Sequence, residues 1–371
     1  MIPAMDLNPA VAARVDAVFA DMNKPGHPGA GLLVIDHDEI VYRKGYGLAD
    51  LENQRAITAD TSFYLASISK QFTAMAIMLL AEEDRLSYDD RLAAFFPQLP
   101  SWSADVSVCH LLHHTSGLQG YVELFSSSTG VPDINGVTNE AVLDRARDLA
   151  APQFPVGTQY AYSNMGYVLL AMIVATVSGR SSADFLKVRI FEPLGMKHTV
   201  AYDQSRPTRY NLAHGYLKEK DQFERWDYPM LTVGDGGLFS TLDDLFLWDQ
   251  ALNTERLVPK AALEQAFTSG TTNDGTPVGY GFGWYTNVFP FLSDGEREQL
   301  LALGGSGLRH VAHGGSLVAY SNYIIRLLDT RRTILVLTNC GPIAPVSELH
   351  RGGIPSPRIR AHQVAGILFA D

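Results

Sequence analysis

The chain has 371 residues, 46% of them hydrophobic and 19% charged, with 32 glycines and 19 prolines. That balance buries a large core and argues against disorder; the length suits two or three structural units, or one large domain carrying an insertion. A net charge of −11 and the lack of any Lys/Arg cluster speak against a nucleic-acid partner.

The first residues, MIPAMDLNPAVAARVDAVFADM, have no charged head followed by a long apolar run. Residues 7–22 read as an amphipathic helix rather than a signal peptide, so a cytoplasmic location is the default unless a leader has been removed. AGLLVIDHDEIVYRKGYG (30–47) reads as a β-hairpin around the polar turn DHDE. A helix is expected over 67–83, a short one within 86–100 that ends at prolines, and another within 106–118 that stops at Gly117. Residues 119–137 are rich in Ser, Gly and Pro and read as a loop. Helices follow at 138–149, 164–178, 181–191, 241–252 and 259–267.

After residue 279 the pattern changes. Strands are expected at 279–288, 309–315, 317–329 and 333–339, and a last helix at 359–369. Strands at both ends and helices between them predict an α/β (α+β) fold. An antiparallel sheet is built from both chain ends (residues 1–70 and 275–371), and a mostly helical domain (71–274) is inserted, with the active site at their interface. The longest apolar stretch, VLLAMIVATV (168–177), falls short of the ~18–20 residues of a membrane span, so no membrane partner is expected. Cys109 and Cys340 stand far apart with no CxxC pattern and read as two reduced, buried thiols.

Four stretches bear on chemistry. In LASISKQF (65–72), Ser67 and Lys70 are i and i+3 on one helix face, whereas Ser69 lies about 200° round from Ser67. Ser67 falls in the first turn, where unpaired N–H groups favour a developing alkoxide. The apolar run AMAIMLL buries the helix and pushes the lysine pKa down, which makes it a usable base. In QYAYSNMGYVLLAMIV (159–174), Tyr162, Ser163 and Asn164 precede a helix. The tyrosine suits proton relay, the asparagine suits donation to a carbonyl or holding the lysine, and either polar neighbour suits capping.

The second Tyr-Ser-Asn, at 320–322, lies in a strand pattern and reads as structural. In RHVAHGGSLVAY (309–320), Gly314 and Gly315 allow close approach to the backbone. A substrate carbonyl there would take the Ser316 N–H, paired with the Ser67 N–H as an oxyanion hole, with His313 projecting into the cleft. In HLLHHTSGL (110–118), His110 and His114 have i, i+4 metal-ligand spacing, but no acidic ligand accompanies them, so no metal is assigned. No nucleophile elbow, phosphate loop or dinucleotide loop occurs, so no cofactor is expected.

Ser67-Ile68-Ser69-Lys70, Tyr162-Ser163-Asn164 and His313-Gly314-Gly315, in that order, resemble the serine β-lactamase and penicillin-binding-protein superfamily. LLHHTSGL (111–118), EPLGM (192–196) and GDGGLFSTLDDLFLWDQAL (234–252) are similar to it as well. The Tyr-x-Asn centre resembles the class C-like branch, which holds class C β-lactamases, DD-carboxypeptidases, family VIII esterases, and D-aminopeptidases or D-amino acid amidases.

The resemblance implies Ser67 as the acylated nucleophile, Lys70 as its base and Tyr162 as the second proton-transfer group. Asn164 would assist Lys70 and bind the substrate amide, with His313, Gly314, Gly315 and Ser316 lining the substrate strand. One departure stands out: the branch's lactamases carry Lys-Thr-Gly where this chain has His-Gly-Gly, and a histidine is mostly neutral at pH 7. The reading is therefore a serine hydrolase of small esters or amides, a carboxylesterase first. A D-amino-acid amidase or aminopeptidase comes next, and a β-lactamase or DD-carboxypeptidase after that. Substrate-pocket aromatics are sought in residues 204–230 (Tyr210, Tyr216, Trp226, Tyr228), as a lid or as surface packing. The oligomeric state is left open.

Overall fold

The computed structural model describes residues 7–125, 134–202, 211–219, 222–227, 231–286, 309–342 and 356–369. The hairpin at 30–47 is present: strands Ala30–Asp36 and Glu39–Tyr46 pair antiparallel. Its turn residues His37 and Asp38 have φ of 50° and 69°, the left-handed pair that suits a two-residue turn between right-twisted strands. Ala30–Asp36 also pairs with Arg332–Thr338, which pairs with Tyr320–Leu327, which pairs with His310–Leu317. Both chain ends thus contribute to one five-stranded antiparallel sheet, with Glu39–Tyr46 and His310–Leu317 at its edges.

Both faces of this sheet are covered. Leu32, Val34, Tyr323, Ile325, Ile334 and Val336 point to one side, where Val15, Phe19 and the Pro357–Phe369 helix pack. Their neighbours Leu33, Ile35, Ile324, Leu335 and Leu337 point to the other, into the larger core. Two-sided burial explains why these strands read as continuous apolar runs. The larger core contains the helices Lys70–Glu82, Asn164–Ser178 and Leu242–Ala251. Every residue from Lys70 to Leu80 is buried, so the helix carries its lysine into the core.

The structure departs from the sequence reading in several places. Residues 279–286 form no strand: Tyr280 and Tyr285 make only isolated bridges, to each other and from Tyr285 to Ala312. Gly279 and Gly283, at φ of 72° and 78°, bend the segment back on itself; residues 287 and 288 lie outside the described residues. The helix expected at 181–191 is α-helical only over Ser182–Leu186 and continues as a π-turn, Lys187–Phe191.

The middle of the chain also holds short strands. Leu238–Ser240 pairs with Phe63–Tyr64 and Val200–Ala201, and Tyr216–Glu219 pairs with Gln222–Arg225 and, in parallel, with Cys340–Pro342. Strands of two to four residues are too short to show a period. Tyr216 is buried in its strand and its hydroxyl accepts the Leu51 N–H, so it is a core residue rather than part of a lid. Tyr210 and Tyr228 lie outside the described residues. Both cysteines are free thiols. Among the described residues no single helix is long and apolar enough to cross a membrane.

Candidate active site

The chain enters the site through Ala66, whose φ of 49° is uncommon for a residue with a side chain. A 3-10 turn, Ala66–Ser69, then runs into the Lys70–Glu82 helix. Ser67 and Lys70 meet as their spacing requires, with Nζ 3.1 Å from Oγ. Ser69 is turned away, and its hydroxyl accepts the Leu238 N–H.

Lys70 is fully buried. Its Nζ donates to Asn164 Oδ1 and to the Asp235 backbone carbonyl, both at 2.8 Å. Burial pushes its pKa down to about 7, against the pull of the Asp235 carboxylate in the other direction. Amide oxygens can only accept. The pair therefore takes both N–H bonds of a neutral amine and leaves its lone pair toward the Ser67 hydroxyl.

Tyr162 and Asn164 flank the start of the Asn164–Ser178 helix. Ser163 is its cap, accepting the Gly166 N–H at 3.2 Å. The Tyr162 ring centroid lies 4.9 Å from Lys70 Nζ. Burial, with Tyr285 nearby, raises the phenol well above its ordinary pKa, opposed by the Ser67 hydroxyl; Tyr162 keeps its proton at neutral pH. The Ser163 N–H donates to His114 Nδ1 at 3.1 Å, and the His114 ring lies 4.3 Å from that of Tyr162. His110 instead accepts the Ser107 N–H in a capping box. His110 and His114 thus hold two separate pieces of backbone.

The third stretch lies on the edge strand His310–Leu317. Ala312 exchanges both backbone hydrogen bonds with Tyr285, at 2.9 Å each. The strand has no register shift, so Gly314 and Ser316 present their backbone groups on the same outer edge. Gly315 packs against the residues on either side of Ser67: an added Cβ would stand 2.2 Å from the Leu65 carbonyl oxygen and 3.3 Å from the Ile68 nitrogen. At Gly314 nothing comes nearer than 3.7 Å, so only the second glycine is there for close approach. Ser316 is exposed.

His313 is buried, at 2% exposure. Its Nδ1 lies 2.5 Å from the Gly314 carbonyl, which can only accept, so Nδ1 bears the proton and Nε2 accepts from the Tyr280 hydroxyl at 2.9 Å. Burial, aided by the Lys70 charge, drives its pKa down to about 3. Both ring nitrogens are thus used within the protein, and the ring stays neutral among Tyr162, Tyr280 and Tyr285.

Several site residues escaped the sequence reading. Asp235 sits in the GDGG string that contributed to the resemblance without being given a role. Tyr121, which donates to Asp235 Oδ2 at 2.9 Å, lies in a stretch read only as loop. Tyr280 and Tyr285 were hidden in a segment with a strand-like pattern.

Residues 15–352 match the family described as Beta-lactamase. Penicillin-binding protein 4* of Bacillus subtilis (strain 168) is 34% identical over 340 residues, covering 88% of this chain and 71% of that protein. The D-aminopeptidase of Gluconobacter oxydans (strain 621H) is 28% identical over 352 residues, covering 92% of this chain; this chain spans only 62% of that protein's length. Among solved structures, the octameric penicillin-binding protein homologue from Pyrococcus abyssi gives a TM-score of 0.76 at 28% identity, over 97% of this chain and 76% of that one. The D-amino acid amidase from Ochrobactrum anthropi SV3 gives 0.75 at 24% identity, over 97% and 98%, a likeness of fold. On the fold and on these matches over most of its length, this chain belongs to the β-lactamase family and is a serine hydrolase of the β-lactamase and penicillin-binding-protein type.

Proposed function

We propose that the protein hydrolyses small neutral carboxylic esters through an acyl-enzyme on Ser67. The observation that carries this reading is the Lys70 amine: fully buried, with Nζ 2.8 Å from both Asn164 Oδ1 and the Asp235 carbonyl and 3.1 Å from Ser67 Oγ, so that the neutral form has its lone pair free for the Ser67 proton. With a pKa of about 7 it is substantially neutral at physiological pH, whereas Tyr162 holds its proton. Lys70 is therefore the base and Tyr162 the relay.

Lys70 takes the Ser67 proton as Oγ attacks the substrate carbonyl. The oxyanion lies between the Ser67 and Ser316 N–H groups. As the intermediate collapses, the proton passes from Lys70 through Tyr162 to the departing alkoxide, and the ester C–O bond breaks. Water then attacks the acyl-enzyme, gives its proton to the same pair, and Ser67 is released.

The neutral wall around His313 supports ester over lactam or carboxylate-bearing peptide, because His313 offers no fixed cation for a carboxylate. A second reading, hydrolysis of D-amino-acid amides or D-aminoacyl peptides, draws on the D-aminopeptidase relatives. Assaying wild type and Ser67→Ala on p-nitrophenyl esters, nitrocefin and D-amino acid amides separates these. The proposal expects kcat/KM to be highest on the short esters and lost in Ser67→Ala. Amides turned over faster than esters move the assignment to the second reading, and full activity in Ser67→Ala removes Ser67 as nucleophile.

A further inference from the structure

Asp235 is the charged group nearest in role to Lys70 that the steps above do not use. It lies in Gly234-Asp235-Gly236-Gly237, a loop fastened to the catalytic helix: Thr73, one turn after Lys70, donates to the Gly234 carbonyl at 2.8 Å. Gly234 has φ of 131° and would place a Cβ 2.4 Å from the Tyr167 carbonyl oxygen, so the loop fits there only with glycine.

The two ends of Asp235 then serve different partners. Its carbonyl accepts from Lys70. Its carboxylate turns to Tyr121, whose hydroxyl donates to Oδ2 and lies 3.1 Å from the Thr232 hydroxyl. Asp235 is 7% exposed, and its Oδ1 has no hydrogen-bond partner among the described residues. Burial raises the Asp235 pKa, opposed by the Lys70 charge and the Tyr121 bond, so the ionised carboxylate depends on the cation beside it. The other titratable groups around the amine are Tyr162 and Tyr167, with ring centroids 4.9 and 5.6 Å from Nζ, and His114 and His313. Burial keeps the phenols protonated and the imidazoles uncharged. Among the described residues Asp235 is the one carboxylate acting on the Lys70 charge.

We propose that Asp235 is a positioning residue for Lys70: its carbonyl fixes the amine beside Ser67, and its carboxylate, held by Tyr121, sets the pH above which that amine is free to take the Ser67 proton. The inference rests on the reading of Lys70 as the base. An anion near an amine stabilises the ammonium, so removing it frees the amine at lower pH.

The test is the pH profile of kcat/KM for a p-nitrophenyl ester in wild type, Asp235→Asn and Tyr121→Phe, with folding checked by circular dichroism. Asparagine keeps the Tyr121 bond and the backbone carbonyl and removes only the charge. Its acid-side inflection is expected to fall by roughly one pH unit, the low end for loss of a nearby opposite charge. Tyr121→Phe, which loosens the carboxylate, moves it the same way by less. A purely structural Asp235 changes kcat without moving the inflection, and inflections that coincide with wild type in both folded variants overturn the proposal. A wild-type profile with no inflection near neutrality overturns the Lys70 base instead, and this inference with it.

Discussion

The two sides of Ser67 are built from different materials. On one side a buried amine is ringed by oxygen: the Ser67 hydroxyl, the Asn164 amide and the Asp235 carbonyl, all within 3.1 Å of Nζ. On the other side a buried imidazole is ringed by tyrosines, with centroids of Tyr285, Tyr280 and Tyr162 at 5.1, 5.7 and 6.2 Å from His313. Both sides are dry, yet dryness acts oppositely on function. It lowers the Lys70 pKa to about 7, where the proposed mechanism needs a base, and it keeps His313 uncharged. In the mechanism we propose, the first side sets the reaction and the second sets which substrates are admitted.

The comparison breaks most sharply at Lys70. Lys70→Met removes the base and should lower kcat/KM by roughly 10³-fold, within the range for a general base. The same variant tests the burial argument. A lysine whose pKa falls on folding binds fewer protons in the native state, so its contribution makes wild-type stability rise with pH between about 7 and its unfolded value near 10.5. Urea melts across that window should show wild type gaining stability relative to Lys70→Met as pH rises.

Next is the join between the two sides. Gly315→Ala puts a methyl against the Leu65 carbonyl and pushes the edge strand off the nucleophile turn; a displacement near 1 Å costs on the order of 10²-fold in rate. Gly314→Ala, with 3.7 Å of clearance, should leave kcat/KM within about twofold, in the range of a tolerated surface change.

A smaller effect is expected from changing the second side alone. His313→Lys introduces a cation and should raise the ratio of nitrocefin to neutral-ester turnover by roughly tenfold, the scale of one charge-assisted hydrogen bond. The same side is also tested through stability instead of rate. His313, with a folded pKa of about 3, must be held neutral as the unfolded chain takes up a proton below about 6.5. Native stability therefore falls by about 1.4 kcal/mol per pH unit from that one group as pH drops from 6.5 toward 3. His313→Gln should make the decline shallower in acid melts.

How much of this the sequence revealed follows from how each contact is made. Ser67 and Lys70 were legible because helical spacing alone brings i and i+3 together. The sheet was legible from its apolar runs, since both faces are covered. Asp235 was not, because it holds Lys70 through a backbone carbonyl, which every residue possesses, across 165 positions of sequence. His114 was weighed only for its spacing from His110; its φ of 58° turns the ring to Ser163 instead. The tripeptide Tyr-Ser-Asn makes the same point twice over. At 162–164 it begins a helix beside Lys70. At 320–322 it lies in a central strand, where Asn322 bonds the Tyr64 carbonyl and the Thr338 N–H and holds the sheet together.

The central claim is that a neutral Lys70 activates Ser67 at physiological pH. Its most direct test is the rate at which a fluorophosphonate acylates Ser67 as a function of pH, with the modified residue located by mass spectrometry. The account predicts labelling at Ser67 and a rate that rises through a single inflection near pH 7. A rate that is flat down to pH 5, or an inflection near 10 as for an ordinary lysine or tyrosine, would contradict it.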